Sequence, residues 1–150
     1  MKRTLSNSDV KELNGKIEKY GFQFDKKDLV ELEEGDVKVV KLKDEPLFFY
    51  SNGEILPTLK MALKGTSLKK ITVDMGAVKF VVNGADIMRP GIVHIQDGIA
   101  KDEVIEIIDV NNTKPLAIGR ALFSTGEMSA LEKGKVIKNL HWIGDKIWKS

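Results

Sequence analysis

The stretch NGADIMRPGIVHI, residues 83–95, places two glycines, an alanine and a proline beside one cation and one carboxylate. Glycine and alanine leave the backbone nearly bare, and Pro90 fixes its own φ and holds Arg89 extended. Such a loop exposes backbone N–H and C=O groups on a stiff support, next to the charges of Arg89 and Asp86. These groups could bind a ligand that carries phosphates and ribose hydroxyls. The alternative interpretation is a tight connection between two structural elements, and spacing alone favours it.

Catalytic motifs are missing from the sequence. It contains neither a GxSxG nucleophile elbow nor a GxxxxGK[ST] phosphate loop, and residues 83–91 lack the GxGxxG order of a dinucleotide site. Neither His94 nor His141 has a metal-ligand spacing such as HExxH, and we interpret both as strand-surface residues. Without cysteine there is no thiol nucleophile, disulfide or cysteine-ligated zinc. We therefore expect a non-enzymatic protein without cofactor or metal.

The composition is typical of a globular intracellular protein. The 150 residues suffice for one domain or two small ones, and 42% of them are apolar, which can supply a core. The first ten residues, MKRTLSNSDV, include basic residues but no apolar run follows them. No later segment approaches the roughly 18 consecutive apolar residues of a membrane span. We expect a soluble, cytoplasmic protein that does not contact membranes.

The charge is nearly balanced along the chain. The net charge is +2, with 14 basic and 12 acidic residues up to Lys70, and 10 of each beyond it. Neither part has the bulk positive charge of a non-specific nucleic-acid binder. Binding of a nucleic acid would therefore depend on a local patch and on shape, and salt would weaken it only moderately.

Local signals in the first part of the chain predict an α+β arrangement. Ser6 and Asp9 have capping-box spacing before a helical repeat of apolar residues, and Gly21 can end that helix. The GD in LVELEEGDVKVVKLKD and the NG in PLFFYSNGEIL predict two β-hairpins. LPTLKMALKG predicts a further helix that ends at Gly65.

A run of three aromatic residues, Phe48, Phe49 and Tyr50, lies in the predicted NG hairpin. Alternate side chains of a strand face opposite ways, so at least one of the three could be exposed. Core packing is the favoured interpretation, and base stacking or a partner site is the alternative.

Residues 64–70, KGTSLKK, are small, polar and basic, and they are the best linker candidate. We predict one domain over residues 1–68 and a second over residues 69–150. In the second, ITVD, GIVHI, VIEIID, PLAIGRALF and KVIKNLHWI predict strands, and GAVKFVV predicts a short helix or strand. STGEMSALEKG predicts a helix with a Ser124/Glu127 capping box, closed by Gly134. Short strands at this spacing suggest a small barrel or sandwich.

The glycine-rich segment GADIMRPGI resembles the signature loop of the PUA domain, an RNA-binding module. The segment KPLAIGRALFSTGEMSALEKGKVIKNLHWIGDKIW is similar to the C-terminal half of that module, so the resemblance covers about residues 71–148. Within the family, GAVKFVVNGADIMRPGI and NLHWIGDKIW resemble archaeal two-domain members and the eukaryotic malignant T-cell amplified sequence group. In the first part of the chain, the segment LFFYSNGEILPTL is similar to a segment of proteins in the same subgroup.

The resemblance implies an N-terminal α+β domain followed by a C-terminal PUA-like β pseudo-barrel. It also implies a surface that faces RNA, formed by Gly84, Ala85, Asp86, Ile87, Met88, Arg89, Pro90 and Gly91, with Lys79 and Lys135 as flanking phosphate contacts. The two glycines would act through their missing side chains and Arg89 through its charge. Ile87 and Met88 would either support a base or the loop itself, or fill the core.

The function implied by the resemblance is non-enzymatic RNA binding in translation. The target would be the acceptor region of tRNA or structured rRNA, in initiation or ribosome recycling on the small ribosomal subunit. Two alternatives remain open. The chain could be a protein-interaction module, for which an exposed patch around Phe48, Phe49 and Tyr50 would speak, or a specificity subunit of an RNA-modifying enzyme.

Overall fold

The computed structural model describes residues 1–150 and divides them into two compact units. The first unit comprises Met1–Ser67 and Lys146–Ser150, and the second comprises Leu68–Asp145. The division lies one residue before the predicted boundary, but the last five residues belong to the first unit and not to the second. That the units are independent domains stays a prediction.

The first unit contains five strands and three helices: β1 (Lys2–Thr4), α1 (Asn7–Ile17), β2 (Val30–Glu34), β3 (Lys38–Leu42), β4 (Glu45–Ser51), β5 (Glu54–Pro57), α2 (Leu59–Lys64) and α5 (Lys146–Lys149). The second unit contains six strands and two helices: β6 (Lys70–Val73), α3 (Met75–Val81), β7 (Ile87–Met88), β8 (Ile92–Ile95), β9 (Val104–Asp109), β10 (Pro115–Ala121), α4 (Thr125–Ala130) and β11 (Lys135–Trp142).

Helix α1 begins and continues as its sequence predicts. The Ser6 hydroxyl accepts a hydrogen bond from the Asp9 N–H at 3.1 Å, and the Asp9 carboxylate accepts one from the Ser6 N–H at 3.4 Å. A 3-10 turn over Glu18–Tyr20 follows, and Gly21 ends it with a φ of +81°. The capping box and the terminal glycine are therefore confirmed.

The first unit's sheet is an antiparallel meander in the order β1-β2-β3-β4-β5. The predicted GD hairpin joins β2 to β3 and the predicted NG hairpin joins β4 to β5. Asn52 and Gly53 have φ angles of +51° and +80°, the two positive values that a type I′ turn needs. Phe48 and Phe49 are buried in the core and Tyr50 is only half-buried, so the favoured core interpretation is confirmed.

The second unit's strands form one nearly closed, barrel-like sheet in the order β7-β11-β10-β9-β6-β8. All pairings are antiparallel except that between β6 and β9. The core of this unit consists mainly of isoleucine and valine from these strands, with Met128 from α4. The β runs predicted in this part are confirmed.

The first helix of the second unit decides between the helix and the strand predicted for its segment, and the second helix ends earlier than predicted. GAVKFVV is helical, and the Asp74 side chain caps α3 by accepting a hydrogen bond from the Ala77 N–H at 2.9 Å. The Ser124/Glu127 capping box of α4 is confirmed. Gly134, with a φ of +96°, does not close α4, because the helix already ends at Ala130.

The prediction for the histidines is right for one and wrong for the other. His94 is exposed in β8. His141 is fully buried in β11, with its Nδ1 2.8 Å from a carboxylate oxygen of Asp145. Asp145, four residues further on, supplies the partner that a buried histidine needs. The structure contains no group of three or more acidic or histidine side chains that could hold a metal ion. None of its helices has the length and apolar character needed to cross a membrane.

Candidate nucleic-acid interface

A groove of about 740 Å³ opens on the second unit between α3 and the loop that follows it. One side, the helix wall, consists of Gly76, Ala77, Phe80 and Val81. The opposite side, the loop wall, is the segment 84–91. Seven of the ten residues predicted for the site line the groove: Ala85, Asp86, Ile87, Met88, Pro90, Gly91 and Lys135. Gly84, Arg89 and Lys79 do not line it.

The groove presents large apolar side chains to solvent. Phe80 on the helix wall is 58% exposed, and Met88 on the loop wall is 50% exposed. Exposed aromatic and apolar faces of this kind can stack on unpaired bases. Phe80 was not predicted as a site residue, because the sequence left its segment open between helix and strand. The signal was present in α3, whose sequence MGAVKFV places apolar residues on every side of a short helix.

Ile87 and Met88 take opposite roles in β7. Ile87 pairs with Ile137 of β11 and belongs to the core of the unit, with 2% of its surface exposed. Met88 pairs with Lys135 and points to solvent. Of the two interpretations for this pair, core filling therefore describes Ile87, whereas Met88 is available to a ligand.

The fold leaves no room for a side chain at Gly84. Its φ is +90°, and a Cβ on this residue would lie only 2.7 Å from the Trp142 ring. Gly91 has a related constraint, since its Cβ would lie 3.1 Å from the Cβ of Ala77 on α3. Both glycines thus let the loop wall pack closely on its neighbours. A substitution at Gly84 would disturb the packing of Trp142 whether or not a ligand binds.

Arg89 ties the loop wall to α4 and β8. Its Nε donates to the Met128 carbonyl at 2.8 Å and its Nη1 donates to the Ile92 carbonyl at 3.3 Å. Its backbone N–H donates to the Gly134 carbonyl at 2.8 Å. The partners are carbonyl groups, so the guanidinium is held in place without a carboxylate that would neutralise its charge.

Asn139 of β11 anchors the loop wall through hydrogen bonds. Its side chain is buried, and its Nδ2 donates to the carbonyls of Val81 at 3.1 Å and Ala85 at 3.0 Å. Its backbone N–H donates to Asp86 at 2.9 Å. Asn139 is a second residue that the sequence did not reveal, because its contacts lie more than fifty positions away in the chain.

Two lysines flank the groove. The Lys135 ammonium lies 3.4 Å from the Asp86 carboxylate, and Lys135 lines the groove where β11 begins. Lys79 is exposed on α3, with its ammonium 5.2 Å from the centre of the Phe80 ring. Acidic groups are also present, since Asp74 and Asp86 both line the groove. The site therefore combines an apolar surface with a cation on each flank.

Residues 69–143 match the family described as the PUA domain, which is half of the chain. This protein belongs to the PUA domain family. It is 41% identical to an uncharacterized protein of Methanocaldococcus jannaschii, over 96% of this chain and 93% of that protein.

Eukaryotic relatives match over a smaller share of both chains. Translation machinery-associated protein 20 of Eremothecium gossypii is 34% identical over 75% of this chain and 66% of its own length. The Malignant T-cell-amplified sequence 1 homolog of Drosophila melanogaster is 33% identical over 71% of this chain and 61% of its own. The matched region thus spans slightly less than two thirds of these two relatives.

Two solved structures resemble the chain over nearly its full length, and a third resembles part of it. A conserved PUA domain protein from Thermoplasma acidophilum aligns with a TM-score of 0.85 and 25% identity, over 99% of this chain and 98% of that one. A hypothetical protein from Pyrococcus horikoshii aligns with a TM-score of 0.83 and 32% identity over the same shares. A chain in an H/ACA RNP bound to a substrate RNA aligns more weakly, with a TM-score of 0.52 and 26% identity over 64% of this chain and 29% of that one.

Proposed function

We propose that the protein binds structured RNA in the groove between the helix wall and the loop wall, without catalysing a reaction. The observation that carries the proposal is the exposed Phe80 ring inside an apolar groove flanked by Lys79 and Lys135. Membership of the PUA family supports it, as does the similarity to a chain in the structure of an H/ACA RNP bound to a substrate RNA.

An unpaired nucleotide fits this groove better than a continuous duplex does. Side chains cannot reach the base edges in the deep, narrow major groove of an A-form helix, whereas unpaired bases can stack on aromatic rings. In the proposed complex a splayed base lies between Phe80 and Met88, and the lysines contact the adjoining phosphates. The acceptor region of tRNA, with its single-stranded 3′ end, and structured rRNA with exposed loops both meet this requirement.

The proposed setting is translation. Relatives named as translation machinery-associated proteins support this setting. We place the activity in initiation or ribosome recycling, on the small ribosomal subunit and hence in the cytoplasm. Because the net charge is only +2, the complex depends on a few phosphate contacts and on shape, so its affinity falls moderately with salt.

The proposal can be tested with deacylated tRNA, with and without its CCA end, by fluorescence anisotropy. Ala85→Glu adds a negative charge at an exposed position in the groove, and Asn111→Glu adds the same charge at an exposed position outside it. We expect Ala85→Glu to weaken binding of the intact tRNA at least about tenfold, which corresponds to about 1.4 kcal/mol. Asn111→Glu should change it less than about twofold.

Equal binding by the two variants would remove the groove from the proposal. Equal binding of the intact and shortened tRNA, with Ala85→Glu still defective, would exclude the CCA end and favour structured rRNA. Both variants have the same net charge, so a difference in their affinity for tRNA cannot come from net charge alone.

A second candidate function is that of a specificity subunit for an RNA-modifying enzyme. The similarity to a chain of an H/ACA RNP bound to a substrate RNA favours it. Its test is whether adding this chain changes the rate or site choice of a candidate modifying enzyme. The protein-interaction alternative loses one argument, because Phe48 and Phe49 are buried and form no exposed aromatic patch.

A further inference from the structure

The two carboxylate oxygens of Asp86 have different partners. Oδ1 accepts a hydrogen bond from the backbone N–H of Asn139 at 2.9 Å, whereas Oδ2 lies 3.4 Å from the Lys135 ammonium. The Asp86 side chain is 34% exposed and that of Lys135 is 52% exposed, so solvent and ligands can reach the ion pair. One oxygen therefore connects the loop wall to β11, and the other pairs with a cation at the edge of the groove.

The hydrogen bond at Oδ1 needs an acceptor but not a charge. The Asn139 side chain already holds the loop wall through the Val81 and Ala85 carbonyls, and Asp86 adds a third connection to the same residue. An asparagine at position 86 could accept the same hydrogen bond through its own carbonyl oxygen. The negative charge is thus not explained by the packing of the loop.

A carboxylate inside a site for a polyanion opposes binding unless it has a separate role. Here it lies next to Lys135, the one cation that lines the groove. A ligand phosphate that approaches Lys135 must displace Asp86 Oδ2 from the ammonium or share it. Exchange is inexpensive for a solvent-exposed ion pair, because such pairs are weak.

We propose that Asp86 is a positioning residue for the loop wall and that its second oxygen competes with the RNA phosphate for Lys135. This inference rests on the proposed function. The competition weakens every anion that must displace the carboxylate by a similar, modest factor, so only a ligand that is also held by the apolar walls stays firmly bound. Asp86 thereby lowers the affinity of the groove for RNA and for any other anion that reaches Lys135.

The test compares Asp86→Asn with wild type in binding of deacylated tRNA by fluorescence anisotropy. Asp86→Asn keeps the acceptor for the Asn139 N–H and removes the charge. We expect about two- to fivefold tighter binding, the range that the strength of an exposed ion pair allows. In a Lys135→Gln background the same substitution should have no effect. Asp97→Asn, which removes an exposed carboxylate elsewhere in the unit, is the control for charge alone.

Hydrogen exchange tests the positioning role without RNA. Protection of the Asn139 amide should persist in Asp86→Asn and fall in Asp86→Ala, because only the asparagine retains an acceptor. Loss of protection in Asp86→Asn would overturn the positioning role.

Three binding results would overturn the competition. Weaker binding by Asp86→Asn would make the carboxylate an RNA contact, and unchanged binding would show that it does not compete. An equal gain in the Lys135→Gln background, or with Asp97→Asn, would reduce the effect to overall charge. Binding that responds to Ala85→Glu but not to Asp86→Asn contradicts this inference alone. Binding insensitive to Ala85→Glu overturns the proposed function and this inference with it.

Discussion

The loop wall of the groove is fixed by contacts to β11, whereas the helix wall presents a large side chain that is mostly exposed. Gly84 lies against Trp142, Asp86 is hydrogen-bonded to Asn139, and Ile87 is part of the core. Phe80 on the helix wall is more than half exposed. In the proposed complex, the residues of the loop wall would therefore mainly shape the site, and Phe80 would contribute binding with little effect on the fold. Substitutions in the two walls and in β11 test this division, and one outside them serves as a contrast.

The largest effect is expected for Gly84→Ala. The substitution places a Cβ at a positive φ and within 2.7 Å of the Trp142 ring, so strain and overpacking add. We expect a loss of about 2–4 kcal/mol in the free energy of unfolding, measured by urea denaturation. Gly134→Ala is the matched control, because Gly134 also has a positive φ but open space around its Cβ position. Equal losses in the two variants would show that Trp142 contributes nothing.

Asn139→Ala should have the next largest effect. It removes the donor to the Val81 and Ala85 carbonyls; the Val81 carbonyl keeps its hydrogen bond from the Gly84 N–H, whereas the Ala85 carbonyl loses its side-chain donor. The expected cost is about 1–3 kcal/mol in the free energy of unfolding. Asn83→Ala, which removes an exposed side-chain hydrogen bond to the Lys79 carbonyl, should cost less than about 0.5 kcal/mol. Similar costs at the two positions would contradict a loop wall held from β11.

Phe80→Ala tests the helix wall. Because the ring is mostly exposed, the free energy of unfolding should change by less than about 0.5 kcal/mol. Affinity for deacylated tRNA should fall about tenfold, since stacking of a base on an aromatic ring is worth roughly 1–3 kcal/mol. Val93→Ala, a truncation of another exposed apolar residue of the unit, should leave affinity unchanged. A large loss of stability in Phe80→Ala would remove the contrast between the walls.

The smallest effect concerns Glu106 of β9, which lies in neither wall. Burial raises the pKa of this carboxyl, and the nearby Lys70 ammonium partly opposes the shift. The folded protein therefore holds the proton more tightly than the unfolded chain, whose glutamate pKa is about 4.3. The contribution of Glu106 to stability is present below this pH and is lost as the pH rises through the higher folded pKa.

We therefore expect Glu106→Gln to gain stability relative to wild type as the pH increases from about 4 to 7. The gain in the free energy of unfolding is about 1.4 kcal/mol for each unit by which the pKa of Glu106 is raised. Urea unfolding across this range measures the difference. Glu132→Gln, at an exposed position, controls for the loss of one charge. A constant difference between Glu106→Gln and wild type at all pH values would contradict the raised pKa. Tested on the same proteins, tRNA binding should not follow this profile, because Glu106 does not line the groove.

Local signals in the sequence predicted the local structure well. Ser6 with Asp9, Asn52 with Gly53, and Ser124 with Glu127 act within a few residues, so their capping boxes and turn are readable without tertiary information. The hairpins of the first unit follow the same rule, since every pair of neighbouring strands is consecutive in sequence.

Contacts between distant segments could not be predicted from the residues. Strand β7 has two residues and exists because Ile87 pairs with Ile137 of β11, and β6 pairs in parallel with β9 across an intervening helix and two strands. His141 was misassigned although its partner Asp145 is only four residues away, because the face of β11 that is buried is set by the packing of the sheet. The family resemblance supplied the barrel and the loop, but it did not indicate Phe80 or Asn139, and the roles of the predicted site residues stay predictions.

Residues 146–150 give the first unit a particular order of assembly. Ile147 of α5 is buried, and the Lys60 ammonium lies 4.9 Å from the centre of the Trp148 ring. The first unit is therefore discontinuous in sequence, with the whole second unit inserted before its last helix. On a translating ribosome the second unit can acquire all of its strands while the first still lacks α5. The part of the protein that is synthesised first is thus the last to be completed.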